Sequence, residues 1–205
     1  MLAVPSAEQV LLESTSQYIK SESPRVPIRS SVPPFTAMSK PTYPLSANNL
    51  ESLVTYVPPA GEPWSIVSKV DLPGGSILTP ITSATKTTLK AYSSVQISKD
   101  EHIELNSALL YMNHSCDPSV ELDTSRMEVR VVQHRDLKAG DHITFFYPSS
   151  EWDMARPFDC ECKADNCLRV IDGASKMDLI ALKKRGYFIN QHILKMIEQR
   201  GDLRN

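Results

Sequence analysis

The sequence predicts a mainly β fold of the α+β class, followed by C-terminal helices. From residue 50 to residue 147, short runs rich in β-branched and aromatic residues alternate with turns that contain Pro, Gly and Asp. After residue 174 the apolar residues take a helical spacing, over 176–184 and 190–199, and Gly186 separates the two stretches. With 205 residues and 41% hydrophobic residues, the chain is long enough for one domain with tails.

Each strand of this fold is predicted from a short apolar or alternating run. The strands are expected at 53–57, 64–70, 76–78, 92–97, 102–105, 119–122, 127–131 and 143–147. Met127, Val129 and Val131 alternate with polar residues, so the strand at 127–131 is expected to be half buried and to form a hairpin with 119–122. The polar run 83–88 is expected to be a loop. The helices are expected to pack against the sheet rather than to bind a partner.

The N-terminal part of the chain differs from the rest. Residues 6–9 have the spacing of a capping box, which predicts a short helix to about residue 19; a partly ordered tail is the alternative. A proline-rich stretch from 21 to 44 follows, and proline removes a backbone donor and restricts its neighbour, so an extended arm is expected. We divide the chain into an arm (1–49), a β domain (50–150), a cysteine segment (151–173) and a helical extension (174–205).

Charge and hydropathy exclude several classes of function. A net charge of −2 gives no electrostatic footprint for nucleic acid, so no direct nucleic-acid partner is expected. No apolar run approaches the roughly 20 residues of a membrane span, so no membrane is expected either. The N-terminus lacks the pattern of a signal peptide. Together with the cysteine spacing this predicts an intracellular protein, with nucleus and cytoplasm left open.

The four cysteines of the chain have the number and spacing of a zinc site. Three of them form a C-x-C-x4-C run, and the fourth lies beside an Asn-His pair; they are Cys160, Cys162, Cys167 and Cys116. Four thiolates suit the tetrahedral, soft coordination that Zn²⁺ prefers in structural sites. Four reduced, packed thiols are the alternative. A zinc ion here would hold the C-terminal segment over the Asn-His loop.

Three motifs in order resemble the SET domain followed by its post-SET segment. They are Asn-His-Ser-Cys-Asp-Pro at 113–118, Gly-Asp-His-Ile-Thr-Phe-Phe-Tyr at 140–147, and the cysteine run at 160–167. The stretch 66–75 is similar to the first motif of that family. The resemblance covers about residues 50–172. It implies small curved β-sheets around a pseudo-knot, in which the Asn-His segment is crossed by the strand that ends at Tyr147.

The family consists largely of protein lysine methyltransferases that use S-adenosylmethionine, and the resemblance implies a site of that kind. Tyr147 matches the catalytic tyrosine, with its hydroxyl near the transferring methyl. Phe145 matches a substrate-channel position and implies that more than one methyl can be added. The cofactor contacts implied by the resemblance are Trp64, Ser65, Tyr111, Asn113, His114 and Tyr147. A packed strand-end tyrosine and a satisfied core histidine are the alternatives for Tyr147 and His114.

The chain departs from the family pattern at several positions. Pro63 and Ser65 flank Trp64 where the family has glycines, Leu110 stands where many members carry Arg, and Ser119 replaces a common Asn. The leading interpretation is an S-adenosylmethionine-dependent protein-lysine N-methyltransferase, whose partner is a protein substrate with a lysine side chain. A small amine as substrate, or a non-catalytic binding scaffold, is the alternative.

Overall fold

The computed structural model describes residues 47–58 and 64–201. The expected N-terminal helix, nearly all of the arm and Pro63 lie outside the described residues. Within them the strands are two to four residues long, and they are β1 Val54–Val57, β2 Ser65–Ser68, β3 Ile77–Pro80, β4 Ala84–Thr87, β5 Ser94–Gln96, β6 His102–Leu105, β7 Asn113–His114, β8 Val120–Asp123, β9 Glu128–Val131, β10 Thr144–Phe145, β11 Phe158–Asp159 and β12 Val170–Ile171. The α-helices are α1 Leu179–Lys184 and α2 Gln191–Arg200. Single 3-10 turns lie at Ala47–Ser52, Ala108–Tyr111, Tyr147–Ser149 and Ala174–Lys176.

The strands form several small sheets, as the mainly β prediction requires. Strands β1 and β2, and β11 and β12, form two-stranded antiparallel sheets, while β3-β9-β8 and β4-β6-β5 form three-stranded ones. The pair β7 and β10 is parallel. This parallel pair is the contact that the expected pseudo-knot needs, because it places the Asn-His segment directly beside the 144–145 strand.

The hairpin of β8 and β9 is confirmed, and its turn has a clear local cause. Asp123 Oδ1 accepts hydrogen bonds from the backbone N–H of Ser125 and of Arg126, at 2.9 and 3.0 Å. An aspartate that binds the backbone two and three residues ahead favours a tight turn over a continued strand. Val129 and Val131 are then fully buried, with Glu128 and Arg130 facing the other side.

Two secondary-structure predictions were wrong, one of a loop and one of the end of a strand. The polar run 83–88 contains β4, which pairs along its whole length with β6. The side chains of Thr85 and Lys86 are exposed there, so this is a polar edge strand that periodicity does not separate from a loop. The strand predicted over 143–147 is shorter, because pairing ends at Phe145 and Tyr147 begins a 3-10 turn instead of ending a strand.

Among the residues that the structure describes, the buried hydrophobic side chains form two clusters that meet at adjacent positions of the chain. The larger cluster lies among the sheets and includes Ile143 and Phe145. The smaller cluster includes Phe146 together with Ile193 and Ile197 from helix α2. The C-terminal helices are therefore packed within the chain, on the far side of the 144–147 segment. None of the helices in the described part of the chain is long and apolar enough to cross a membrane.

Gly186 ends the first helical segment, as predicted. Its φ of +72° lies in the left-handed region, which glycine adopts without steric cost. Helix α2 then begins after Asn190, whose side chain is 1% exposed and points into the protein. Its Oδ1 accepts from the backbone N–H of Thr124 at 2.9 Å, and its Nδ2 donates to the carbonyls of Leu122 and Ser149 at 3.0 Å each. A fully paired buried amide therefore joins the helix to the body.

Candidate active site and metal centre

The parallel pairing of β7 with β10 assembles the candidate site. Thr144 lies opposite Asn113 and Phe145 lies opposite His114, and the backbone N–H of Ser115 donates to the Phe145 carbonyl at 3.1 Å. Residues about 30 positions apart in the sequence are thus neighbours. The catalytic tyrosine predicted at position 147 follows directly from this paired segment.

The imidazole of His114 connects the 3-10 turn that begins at Tyr147 to the cysteine at position 116. Its Nδ1 accepts from the backbone N–H of Tyr147 at 3.2 Å, so the ring proton resides on Nε2, which lies 3.4 Å from Cys116 Sγ. Burial lowers the pKa of His114 to about 4, which keeps this ring neutral near pH 7. Both ring nitrogens of His114 therefore have partners, one at Tyr147 and one at Cys116.

The hydroxyl of Tyr147 has a defined partner. It donates to the backbone carbonyl of Met112 at 3.0 Å, next to the Asn113 position of β7. Burial, with the nearby Glu151 charge adding to it, raises the pKa of Tyr147 well above its ordinary value of 10. The phenol therefore stays protonated, with its proton directed at Met112 and its oxygen lone pairs available to a group beside it. The ring lies 4.7 Å from that of Phe145, centroid to centroid.

A 3-10 turn places the Met112 carbonyl. Ser107, which is fully buried, caps this turn, and its hydroxyl accepts from the backbone N–H of Leu109. The turn buries Tyr111, whose ring meets that of Tyr56 edge-on at 5.4 Å between centroids. Tyr56 in turn meets Trp64 edge-on at 6.4 Å. The predicted cofactor residues Trp64 and Tyr111 thus belong to one aromatic cluster.

A cleft of about 440 Å³ lies beside this cluster and has the size of a small-molecule site. Three of the predicted cofactor residues, Ser65, Asn113 and His114, contribute to its wall. Trp64, Tyr111 and Tyr147 do not line it. Trp64 reaches it indirectly, because its carbonyl accepts from Asn113 Nδ2 at 3.3 Å.

Sequence reasoning missed several residues of the cleft. His142, Phe158, Asp159 and Glu161 line it together with two of the cysteines. His142 is placed by a β-bridge to Val67, and its Nδ1 lies 3.3 Å from Ser65 Oγ. Its position inside the 140–147 motif was the available signal, whereas Phe158 enters only because the cysteine segment folds back over the cleft.

Two of the departures from the family pattern, at Ser119 and Leu110, are packed into the protein. Ser119 is 2% exposed; its hydroxyl donates to the His142 carbonyl at 2.7 Å and accepts from the backbone N–H of Thr144 at 2.9 Å. These two hydrogen bonds therefore join Ser119 to the segment that contains β10. Leu110, which stands where a charge is common, packs against the larger core cluster.

The four cysteines come together as the sequence predicted. The sulfur atoms of Cys116, Cys160, Cys162 and Cys167 all lie within 4.8 Å of one another. Burial raises the pKa of the Cys116 thiol to about 11, so this group holds a proton until a cation displaces it. The backbone N–H of Leu168 points at Cys116 Sγ at 3.3 Å, the kind of donor that stabilises a thiolate. Four converging sulfurs are a donor set that suits a tetrahedral zinc ion.

Comparison with known proteins now places the chain in a class. The model of the SET domain matches residues 8–148, which is more than half of the chain. The chain belongs to the SET domain family, and by that membership it is a methyltransferase of the class that uses S-adenosylmethionine.

Among individual relatives, the chain is 46% identical over 130 residues to "Methyltransferase flvH" of Aspergillus flavus. This match covers 63% of this chain and 72% of that protein. It is 40% identical over 52 residues to "Histone-lysine N-methyltransferase Suv4-20" of Caenorhabditis briggsae, covering 25% of this chain and only 16% of that protein. A solved structure, "crystal structure of KRYPTONITE in complex with mCHH DNA, H3(1-15) peptide and SAH", is similar with a TM-score of 0.46 and 18% identity, over 57% of this chain and 29% of that one.

Proposed function

We propose that this chain transfers methyl groups from S-adenosylmethionine to the side-chain amine of a lysine in a protein substrate. The observation that carries the proposal is the hydrogen bond from the Tyr147 hydroxyl to the Met112 carbonyl. This bond holds a protonated phenol at the end of the paired 113–114 and 144–145 segments. The ring of Tyr147 meets that of His114, which lines the cleft, edge-on at 5.3 Å. The name of the Suv4-20 relative, a histone-lysine N-methyltransferase, supports lysine as the acceptor.

The residues that would hold the cofactor are those of the cleft wall, Ser65, Asn113 and His114, with His142 and Phe158 added by the structure. When bound, S-adenosylmethionine supplies an electrophilic methyl on a sulfonium. The cleft offers it an aromatic ring and two acidic side chains, Asp159 and Glu161, which complement a positively charged ligand.

The role proposed for Tyr147 is orientation and electrostatic stabilisation. Because its proton is committed to Met112 and its pKa is raised, the phenol does not act as a base near pH 7. Its oxygen offers lone-pair density to a positively charged methyl and to the incoming amine. A fixed dipole in a site shielded from water is worth far more than in solution. The amine arrives after losing its proton to solvent.

The role proposed for the cysteine cluster is a structural zinc site. The four sulfurs lie close enough together to bind one ion, and as its four ligands they would leave no open position for a substrate, as in closed structural sites. Cys116 lies on the loop after β7, and the other three lie on the segment that covers the cleft, so the metal would hold that cover in place.

The main test replaces Tyr147 with Phe, which keeps the ring and removes the hydroxyl. Wild-type protein is first incubated with labelled S-adenosylmethionine and a lysate, and the label is separated into protein and small-molecule fractions. We then expect Tyr147→Phe to lower turnover by ~10²–10³ while cofactor affinity, measured by calorimetry, changes only a few-fold.

Three outcomes would count against this proposal. Turnover of Tyr147→Phe within a few-fold of wild type would remove Tyr147 from the reaction. Label in the small-molecule fraction alone would change the acceptor to a small amine. Absence of any cofactor binding at millimolar concentration, about −4 kcal/mol, would favour a non-catalytic scaffold.

The zinc assignment has its own test. Elemental analysis of protein purified without added metal is expected to find about one zinc per chain, because a closed thiolate site retains its ion. Cys162→Ser should lose the metal and increase protease sensitivity after residue 157. A mutant that keeps all of its zinc would exclude this ligand set.

A further inference from the structure

The turn between the two C-terminal helices touches both halves of the proposed site through one side chain. The ring of Tyr187 stacks on that of Phe146, with centroids 4.0 Å apart and planes 4° from parallel. Its hydroxyl donates to the backbone carbonyl of Cys116 at 2.6 Å. Phe146 directly precedes Tyr147, and Cys116 is a proposed metal ligand. One side chain from outside the 113–147 region therefore contacts two parts of the site. One is the segment that leads into the 3-10 turn Tyr147–Ser149 (the tyrosine turn), and the other is the loop after β7 that carries Cys116 (the metal loop).

The Cys116 carbonyl has a second donor from the cysteine segment. Asn166, which immediately precedes Cys167, donates from Nδ2 to this carbonyl at 2.9 Å. Arg185 in turn donates from Nη1 to the Asn166 carbonyl at 2.6 Å. Residues 185–187 thus hold the metal loop directly and also hold the cysteine segment that faces it.

The same helical extension supplies donors to the end of the tyrosine turn. The Ser149 carbonyl accepts from the backbone N–H of Asn190 at 2.9 Å and from its side-chain amide at 3.0 Å. The Ser150 carbonyl accepts from His192 Nε2 at 2.8 Å. Carbonyls at the end of a helical turn lack partners within the turn, so these contacts fix its position.

We propose that Tyr187 is a positioning residue for methyl transfer. Its hydroxyl holds the metal loop, and its ring, through Phe146, sets the position of Tyr147. This inference rests on the proposed function. Small displacements of a reacting group are costly, since a shift of about 1 Å can lower a rate ~10²-fold. Partners of this kind behind a metal ligand commonly affect metal affinity about 10-fold to 100-fold.

Two variants separate the two contacts. Tyr187→Phe keeps the stacked ring and removes the hydrogen bond to Cys116. We expect it to release zinc to a chelator about 10-fold faster, with kcat within a few-fold of wild type. Tyr187→Leu removes the ring as well, and we expect kcat to fall ~10²-fold with cofactor affinity unchanged within a few-fold. Tyr92→Phe and Tyr92→Leu, at a side chain that is 67% exposed, are the matched controls.

Each half of the proposal has its own contradicting outcome. Wild-type zinc retention in Tyr187→Phe, or wild-type kcat in Tyr187→Leu, would overturn the corresponding half of the proposal. If Tyr187→Leu does not fold, as judged by circular dichroism, Tyr187→Phe and Asn166→Ala still test the metal half. Failure of the proposed function is distinguishable, because an inactive wild type leaves the chelator readout intact. A wild type that transfers methyl groups but holds no zinc would overturn the Cys116 half while the proposed function stands.

Discussion

The two buried clusters differ in how they are built, although they meet at neighbouring residues. The larger cluster lies among the sheets, and its members come from most of the strands between Val54 and Phe145. The smaller cluster forms where the C-terminal helices pack on Phe146. Phe145 and Phe146 point into different clusters, since successive residues of an extended segment face opposite sides. Tyr147 follows immediately, so its position depends on both.

This difference indicates that the two clusters position different parts of the site. The sheet cluster determines that residues 113–114 and 144–145 meet at all. The helical cluster determines where the turn after β10 lies, because Asn190 and His192 hydrogen-bond to its Ser149 and Ser150 carbonyls. Tyr187 stacks on Phe146, directly before the turn. Loosening one cluster should therefore affect different properties from loosening the other.

The largest expected effect comes from cavities made in each cluster by the same substitution. Leu122 in β8 and Leu182 in α1 are 0% and 1% exposed. Truncation of either to Ala should cost about 2–5 kcal/mol of unfolding free energy, measured by urea denaturation, because a cavity remains. Leu182→Ala should also speed zinc release under native conditions, whereas Leu122→Ala should not do so until it unfolds. Equal zinc release from both variants would mean that the clusters behave as one unit.

A buried amide tests the connection between the two clusters. Asn190→Ala leaves the carbonyls of Leu122 and Ser149, and both the N–H and the hydroxyl of Thr124, without this partner. We expect a loss of about 3–4 kcal/mol, at ~1 kcal/mol for each hydrogen bond removed. Asn190→Asp keeps the oxygen that accepts from Thr124 and removes the N–H groups that donate to Leu122 and Ser149. It therefore separates the contribution of the accepted hydrogen bonds from that of the donated ones. A loss below about 1 kcal/mol for Asn190→Ala would show that water replaces these bonds.

A smaller effect, dependent on pH, is expected at Glu151. This carboxylate is 7% exposed and accepts from the backbone N–H of Gln96 at 2.8 Å. Burial raises its pKa from 4.5 to about 7, partly offset by that hydrogen bond and by the charge of Lys90. Between these two values the folded protein holds a proton that the unfolded chain has lost, so stability falls as pH rises through this window.

Glu151→Gln removes that titration and keeps an acceptor for Gln96. We expect it to be more stable than wild type at pH 8, by up to about 3 kcal/mol, and equal to it near pH 4. Thermal unfolding across pH measures the difference. The exposed Glu198→Gln is the control. A constant difference between Glu151→Gln and wild type from pH 4 to pH 8 would contradict the raised pKa.

Much of the fold was predictable because its signals are local. The alternation at 127–131 predicts a half-buried strand, and the cysteine spacing predicts a cluster that the structure brings within 4.8 Å. The mainly β class with C-terminal helices is confirmed. The roles of Tyr147, Asn113 and His114 stay predictions from the family motif.

What the sequence by itself determined is therefore the set of motifs, the type of most strands and the C-terminal helices. Only the tertiary structure decided that β4 is a strand, because its pairing with β6 is non-local and its exposed side chains carry no apolar pattern. The same holds for Tyr187 and Asn190, which have no motif around them. Their contacts at Cys116 and Ser149 lie 71 and 41 positions away along the chain. Such contacts form only when the helical cluster packs on Phe146, and no local periodicity encodes that packing.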